Sequence, residues 1–189
     1  SWYGYQRRLS GIMPKDFWIP SAEKAVEFIR QNRDKPFYLE LNYMDTHRKD
    51  DGEFYPVKEF PVDPDDISVP EYYTLPDWPE IRLEIAKYYS NLLQMDKMIG
   101  QVLEALETSG VAENTLVCFV SDNGPPFPGN KMTLYDRGIA IPLIFRWPGK
   151  IPTGVSSDAL VSIIDIMPTL LEAAGDKAPA GVQGKSLLP

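Results

Sequence analysis

Apolar positions along the chain follow two periods, and each change of period marks an element. Within "AEKAVEFIRQN", Ala22, Ala25, Val26 and Ile29 recur at helical spacing with Ser21 placed as N-cap, so a short amphipathic helix is expected. After "RDKP" the aromatic and aliphatic run "FYLELNYMDTH" is short enough for a strand, and it ends in polar groups, Asp45, Thr46 and His47. From Arg48 to Trp78 neither period is sustained; acids, prolines and tyrosines take over, as in a long ordered loop crossing a surface. The clearest helix follows. Asp77 and Glu80 form a D-x-x-E capping pattern with Pro79 just inside, and Ile85, Tyr88, Leu92, Met95, Ile99, Val102 and Leu106 step by three and four until Gly110 stops them.

The unbroken apolar run of "TLVCFVSD" predicts a strand covered on both faces. "PLIFRWPG", from Pro142 to Gly149, predicts another, and "SDALVSIIDIMPTLLEAAG" predicts a helix that carries Pro168 and stops at Gly175. Strands alternating with helices imply an α/β layered architecture. In open sheets of that kind ligands gather beyond the carboxyl ends of strands. Two such ends carry chemistry here: one offers His47, the other the adjacent Asp122 and Asn123.

Composition narrows the function classes. With 189 residues and 43% hydrophobic content, the chain is long enough for one compact domain with a real core. A formal charge of −8 argues against a nucleic-acid partner, because phosphate binding needs clustered Lys and Arg. No apolar run approaches the roughly 20 residues of a membrane span, and the start "SWYGYQRRLSG" has no signal-peptide core. There is no N-x-S/T acceptor, and the single cysteine, Cys118, excludes an internal disulfide framework.

The candidate chemistry lies at the strand ends. A carboxylate and a carboxamide oxygen, Asp122 and Asn123, are hard ligands suited to Ca²⁺ or Mg²⁺, but calcium takes about six to eight oxygens, so further acids are needed. Locally, D-N-G is also a strong turn tripeptide, and the residues alone leave both readings open. His47 is the only histidine and stands at a strand end, where a structural role is equally open; Lys131 lies in the Gly/Pro-rich turn after Asn123. Cys118 lies among apolar strand residues and reads as an inert core thiol. Arg48 and the Asp50-Asp51 pair follow His47 and are placed to reach a ligand.

Taken together, "NYMDTHR", "LPDWPEIR", "NTLVCFVSDNGPP", "KMTLYDRGIAIPLIFRWPG", "SDALVSIIDIMPTLLEAAG" and "VQGKSLLP" resemble the type I sulfatase family in order and spacing, with sulfamidase-like members nearest. The resemblance covers the chain from about Lys35 onward. It implies an alkaline-phosphatase-like layered sheet with helices on both faces, present here as a partial domain. It also implies a hydrolase of sulfate esters or sulfamates acting on sulfated carbohydrate, with N-sulfoglucosamine the leading substrate. By the same resemblance Asp122 and Asn123 complete a Ca²⁺ site, and Lys131 contacts the sulfate oxygens. His47 would bind sulfate and help protonate the leaving atom, although "MDTH" has Asp45 and Thr46 where relatives often carry a proline before the histidine.

One departure shapes the rest. The family's nucleophile is a formylglycine made from a C/S-x-P/A-x-R motif, and these 189 residues contain no such motif. Residues 1–189 are therefore expected to be the central and C-terminal part of a sulfatase catalytic domain. The nucleophile-bearing part, an Asp-Asp strand end and a C-terminal subdomain would lie outside them, and the isolated chain is expected not to turn over. Family relatives occur in lysosomes, periplasm and outside cells, which leaves the compartment undetermined. Two rivals remain: a phosphoryl-transfer hydrolase of the same superfamily, disfavoured because zinc prefers ligands that one His and one Cys scarcely provide, and a non-catalytic module that grips a sulfated glycan.

Overall fold

A computed structural model describes residues 20–188. The start "SWYGYQRRLSG" lies outside the described residues, as does the reading made from it. The structure divides into two units, each treated on its own. The first holds the described residues up to Val111 together with Val120–Leu143; the second holds residues 112–119 and those from Ile144 onward. All four candidate site residues belong to the first.

In the first unit, α1 (Pro20–Asn32) buries Ala22, Ala25 and Ile29, the face that the apolar spacing predicts. The helix begins at Pro20, so Ser21 falls inside its first turn instead of ahead of it. The long helix α2 (Pro79–Thr108) has Trp78 at its N-cap, with no side-chain capping bond. Asp77 does not cap; both of its oxygens accept from Arg82, at 2.5 and 2.7 Å, because a bidentate guanidinium outcompetes a single backbone N–H. At the other end Gly110 takes φ of +71°, and Val111 N reaches back to Leu106 O at 3.1 Å, the left-handed stop that glycine allows.

The predicted apolar stripe of α2 is real but incomplete. Ile85 and Leu106 are buried, and two polar residues the periodicity skips, Ser90 and Asn91, are buried beside them at 7% and 1% exposure. They hang the 48–78 loop on the helix. Ser90 Oγ accepts from Val62 N at 3.2 Å, and Asn91 Nδ2 donates to Tyr55 O at 3.0 Å. Around these bonds a core forms from Phe54, Ile67, Tyr73, Ile85, Ala86 and Phe127. The loop holds an isolated antiparallel bridge between Arg48 and Phe54 and two short helical turns, Pro64–Asp66 and Glu71–Tyr73; the first turn is capped by Asp63, whose Oδ1 accepts from Asp65 N at 3.0 Å.

The run "FYLELNYMDTH" is not a hydrogen-bonded strand, which corrects the expectation. It holds no regular element, yet Phe37, Leu39, Leu41 and Tyr43 are half-buried while Tyr38, Glu40 and Asn42 are exposed, the period of two that strands show. A strand also needs a ladder partner, and none is present among the described residues. The two strands that do form, β1 (Val117–Val120) and β2 (Leu143–Arg146), pair as a two-stranded sheet. β1 is half-buried at Val117, Cys118 and Phe119 and exposed at Val120, so it is not covered on both faces as expected.

A four-residue helix, α3 (Asp136–Ile139), lies between β1 and β2 in the sequence. In the second unit the predicted C-terminal helix is shorter than expected. It comprises a 3-10 turn, Ile163–Asp165, and α4 (Ile166–Ala173), so Pro168 falls in the first turn, where its missing N–H has no intrahelical partner to lose. Gly175 stops it at φ +79°. Among the described residues no helix is long and apolar enough to cross a membrane.

Candidate functional site

Three short segments carry the predicted residues. The first is a turn: His47 N donates to Met44 O at 2.7 Å, which folds "MDTH" back on itself. This buries Asp45 (3% exposed) and leaves His47 exposed. Asp45 Oδ1 accepts from Gln94 Nε2 on α2 at 3.1 Å, so the acid anchors the turn to the helix. Burial pushes its carboxyl above the usual range, partly offset by the Gln94 bond. Beside it Tyr43 is pushed up to about 12, first by burial and then by the Asp45 charge.

The imidazole of His47 is fixed by its neighbour. Nδ1 lies 2.5 Å from Arg48 O, and a carbonyl oxygen only accepts, so Nδ1 carries the proton. In the neutral ring Nε2 is then the nitrogen left to accept a proton or, once protonated, to donate one.

The second segment is the end of β1. Ser121 Oγ donates to Asn123 O at 2.8 Å, closing a tight turn. Asp122 is exposed and Asn123 half-buried, and neither side chain has a hydrogen-bond or ion-pair partner among the described residues. A carboxylate and an amide oxygen held side by side on one turn are the donor set of a hard cation. They are only a part of it, because no group of three or more His, Cys, Asp or Glu side chains converges among the described residues.

The third segment is the loop from Gly124 to Gly138, which presents Lys131. Two glycines close it: Gly124 N donates to Gly138 O at 3.0 Å, and a Cβ on Gly124 would lie 1.9 Å from Arg137 O. A Cβ on Gly138 would lie 2.3 Å from Thr133 O and 2.6 Å from Asn130 O. Inside the loop, fully buried Asn130 donates from Nδ2 to Pro128 O at 2.9 Å, while its own carbonyl accepts the Thr133 hydroxyl at 2.7 Å. Phe127 turns inward and packs on Tyr73 (ring centroids 5.0 Å apart) and Tyr88 (5.4 Å). Lys131 is half-buried with no carboxylate partner among the described residues, so its ammonium is available to an anion.

Arg48 and Asp51 are engaged by protein partners. Arg48 donates to Pro126 O, Gly52 O and Glu84 Oε2, and its guanidinium carbon sits 4.1 Å over the Phe54 ring. Asp51 is held by Lys49 Nζ at 2.7 Å and by Glu53 N at 3.0 Å. Cys118 is half-buried and burial raises its thiol, as suits an inert sulfur. Sequence reasoning missed Gly124, Gly138 and Asn130. Their signal was present as glycines and an amide flanking the lysine, but that two backbones touch there is a tertiary fact.

Comparison with known proteins decides the family. The Sulfatase family model matches residues 19–176. The chain belongs to the sulfatase family. It is 32% identical over 194 residues to the N-sulphoglucosamine sulphohydrolase of Homo sapiens, covering 86% of this chain and 38% of that protein. It is 29% identical over 207 residues to the ulvan-active sulfatase of Formosa agariphila, covering 93% of this chain and 35% of that one. Among solved structures, that of Ps i-CgsB in complex with k-i-k-neocarrahexaose superposes with a TM-score of 0.66 at 26% identity, over 89% of this chain and 36% of that one. The sulfatase chain thus has the alkaline-phosphatase-like α/β fold in part, and it spans well under half the length of these relatives.

Proposed function

We propose that these residues form the anion-holding and part of the metal-holding side of a sulfatase active site that hydrolyses sulfated sugars, with N-sulfoglucosamine the leading substrate. The observation that carries the reading is the family match over a stretch in which Asp122, Asn123 and Lys131 have no protein partner among the described residues. Asp122 and Asn123 would supply two oxygens to a calcium ion. When bound, such an ion supplies positive charge against the oxygens of the transferring sulfuryl group. Formylglycine, the family's nucleophile, would come from a segment outside these residues, as would the remaining acids of the metal site. Without them the isolated chain does not turn over.

The chain's own residues divide the remaining work. Lys131, on a loop stiffened by Asn130 and the Gly124–Gly138 contact, holds a sulfate oxygen by charge and hydrogen bond without reorganising at the moment of reaction. His47, its Nδ1 proton committed to Arg48 O, offers Nε2 to the leaving oxygen or nitrogen and delivers a proton there. The relative named for N-sulphoglucosamine supports a sulfamate substrate, and the relative named for ulvan supports a polysaccharide.

The test assays the full-length protein on N-sulfoglucosamine, on O-sulfated sugars and on phosphate esters, with and without a calcium chelator. Chelator-sensitive release of sulfate is expected. Hydrolysis of phosphate esters alone would replace the reading with phosphoryl transfer, and binding of sulfated glycan without hydrolysis would replace it with a glycan-binding module.

A further inference from the structure

His47 and Lys131 stand on different segments, and Arg48 bonds both to the His47 ring and to the turn that precedes Lys131. The carbonyl of Arg48 accepts the His47 Nδ1 proton at 2.5 Å, while Arg48 Nε donates to Pro126 O at 3.0 Å. One peptide back, Pro125 O accepts Lys131 N at 3.2 Å. A continuous path of short contacts therefore runs from imidazole to Arg48, to the Pro125-Pro126 backbone, and on to the residue bearing the ammonium.

We propose that Arg48 is a positioning residue that sets the spacing between His47 and Lys131 through the Nε–H bond to Pro126 O. The inference rests on the function proposed above. The rest of the guanidinium is engaged separately. Nη1 donates to Gly52 O at 2.8 Å and to Glu84 Oε2 at 2.5 Å, and the guanidinium carbon lies 4.1 Å from the Phe54 ring centroid and 5.5 Å from that of Phe127. Phe127 belongs to the same turn as Pro126 and is itself buried in the core, so the turn is gripped at its carbonyl and at its side chain together. A planar fork with donors in fixed directions is suited to this; a lysine ammonium is not. Two groups on separate loops that grip one small anion bind it well only at one spacing, which makes the register contact matter to binding and not merely to folding.

The experiment compares Arg48→Gln with Arg48→Met in the full-length protein, using calorimetric binding of inorganic sulfate as probe. Both substitutions remove the charge and the Glu84 pair, so both share any folding deficit. Glutamine keeps an N–H donor at the same bond count as Nε, and methionine places a methyl there. Arg48→Gln is expected to stay near parental sulfate affinity, and Arg48→Met to lose about tenfold, the worth of one net hydrogen bond. Equal affinities in the two variants overturn the proposal. Should neither variant fold, Glu84→Gln decides it, because that change removes the ion pair and leaves Nε–H in place. Parental sulfate affinity supports the proposal, and a tenfold loss overturns it. Lys131→Ala separates the two levels of the reading. If it binds sulfate like the parent, the anion cradle itself is wrong and the inference falls with it. If it loses binding while Arg48→Gln and Arg48→Met remain alike, the cradle stands and the role of Arg48 is refuted.

Discussion

Two largely apolar segments of this chain lead to an acid, and the two acids have opposite fates. The segment Phe37–Tyr43 leads to Asp45, which is 3% exposed and bonded to Gln94; β1 leads to Asp122, which is exposed and has no partner among the described residues. The backbones are inverted too: the first has the alternating exposure of a strand without a ladder, while β1 has its ladder with β2. An acid at a strand end is therefore not a site by position alone. Asp45 uses its oxygen to anchor the turn that carries His47, whereas the oxygens of Asp122 have no partner among the described residues.

The largest expected effect tests whether the segment after Asp122 is as rigid as this contrast requires. Gly124→Ala would place a Cβ 1.9 Å from Arg137 O and should cost about 3 kcal/mol or more in urea denaturation. Gly110→Ala meets open space and pays only for its left-handed backbone, about 1 kcal/mol. Equal costs would mean that the 124–138 loop is not closed by its glycines.

Next in size is the contrast itself. Asp45→Ala strands the Gln94 amide and should destabilise by about 1–3 kcal/mol, whereas Asp122→Ala should lie within about 0.5 kcal/mol of the parent. Reversed stabilities in the same denaturation series would exchange the roles assigned to the two acids.

A smaller and more diagnostic effect is pH dependence. Because the folded Asp45 carboxyl is raised above its ordinary 3.8, the folded state binds the proton more tightly than the unfolded one. Its contribution is fully present at low pH, falls as pH climbs from 3.8 toward the raised value, and stays lost at neutrality. Asp45→Asn should remove that fall. Glu84 has the opposite sign. Burial pushes it up, but the bonds from Lys87 and Arg48 outweigh this and hold it below its ordinary 4.5, so its contribution is present above 4.5 and disappears as pH falls through the depressed value. Difference curves of stability against pH for Asp45→Asn and Glu84→Gln should therefore slope in opposite directions, and parallel slopes would contradict both assignments. Smallest of all, Cys118→Ala should cost about 1 kcal/mol or less and leave turnover of the full-length protein unchanged, since the thiol is half-buried and outside the site.

Much of this was legible in the sequence. Ala22, Ala25 and Ile29 announced α1 through their spacing, Gly110 and Gly175 announced two helix stops, and the runs around Cys118 and Phe145 announced β1 and β2. What failed depended on partners distant in sequence. Whether Phe37–Tyr43 becomes a strand is decided by a neighbouring backbone and not by its own side chains. Ser90 and Asn91 broke the apolar rule because their burial is balanced by bonds to Val62 and Tyr55, which no period reveals. Asp77 looked like a cap until Arg82 claimed it. The candidate site residues Asp122, Asn123, Lys131 and His47 rest on residue chemistry and family resemblance, whereas the contacts around them, through Gln94, Arg48 and the paired glycines, are tertiary.

The central claim is that Asp122 and Asn123 exist to hold a hard cation. Calcium titrated calorimetrically into metal-free full-length protein tests it most directly. Asp122→Ala should weaken calcium binding by about 100-fold or more while the melting temperature of the metal-free form stays at the parental value. Calcium affinity unchanged in Asp122→Ala would contradict the account.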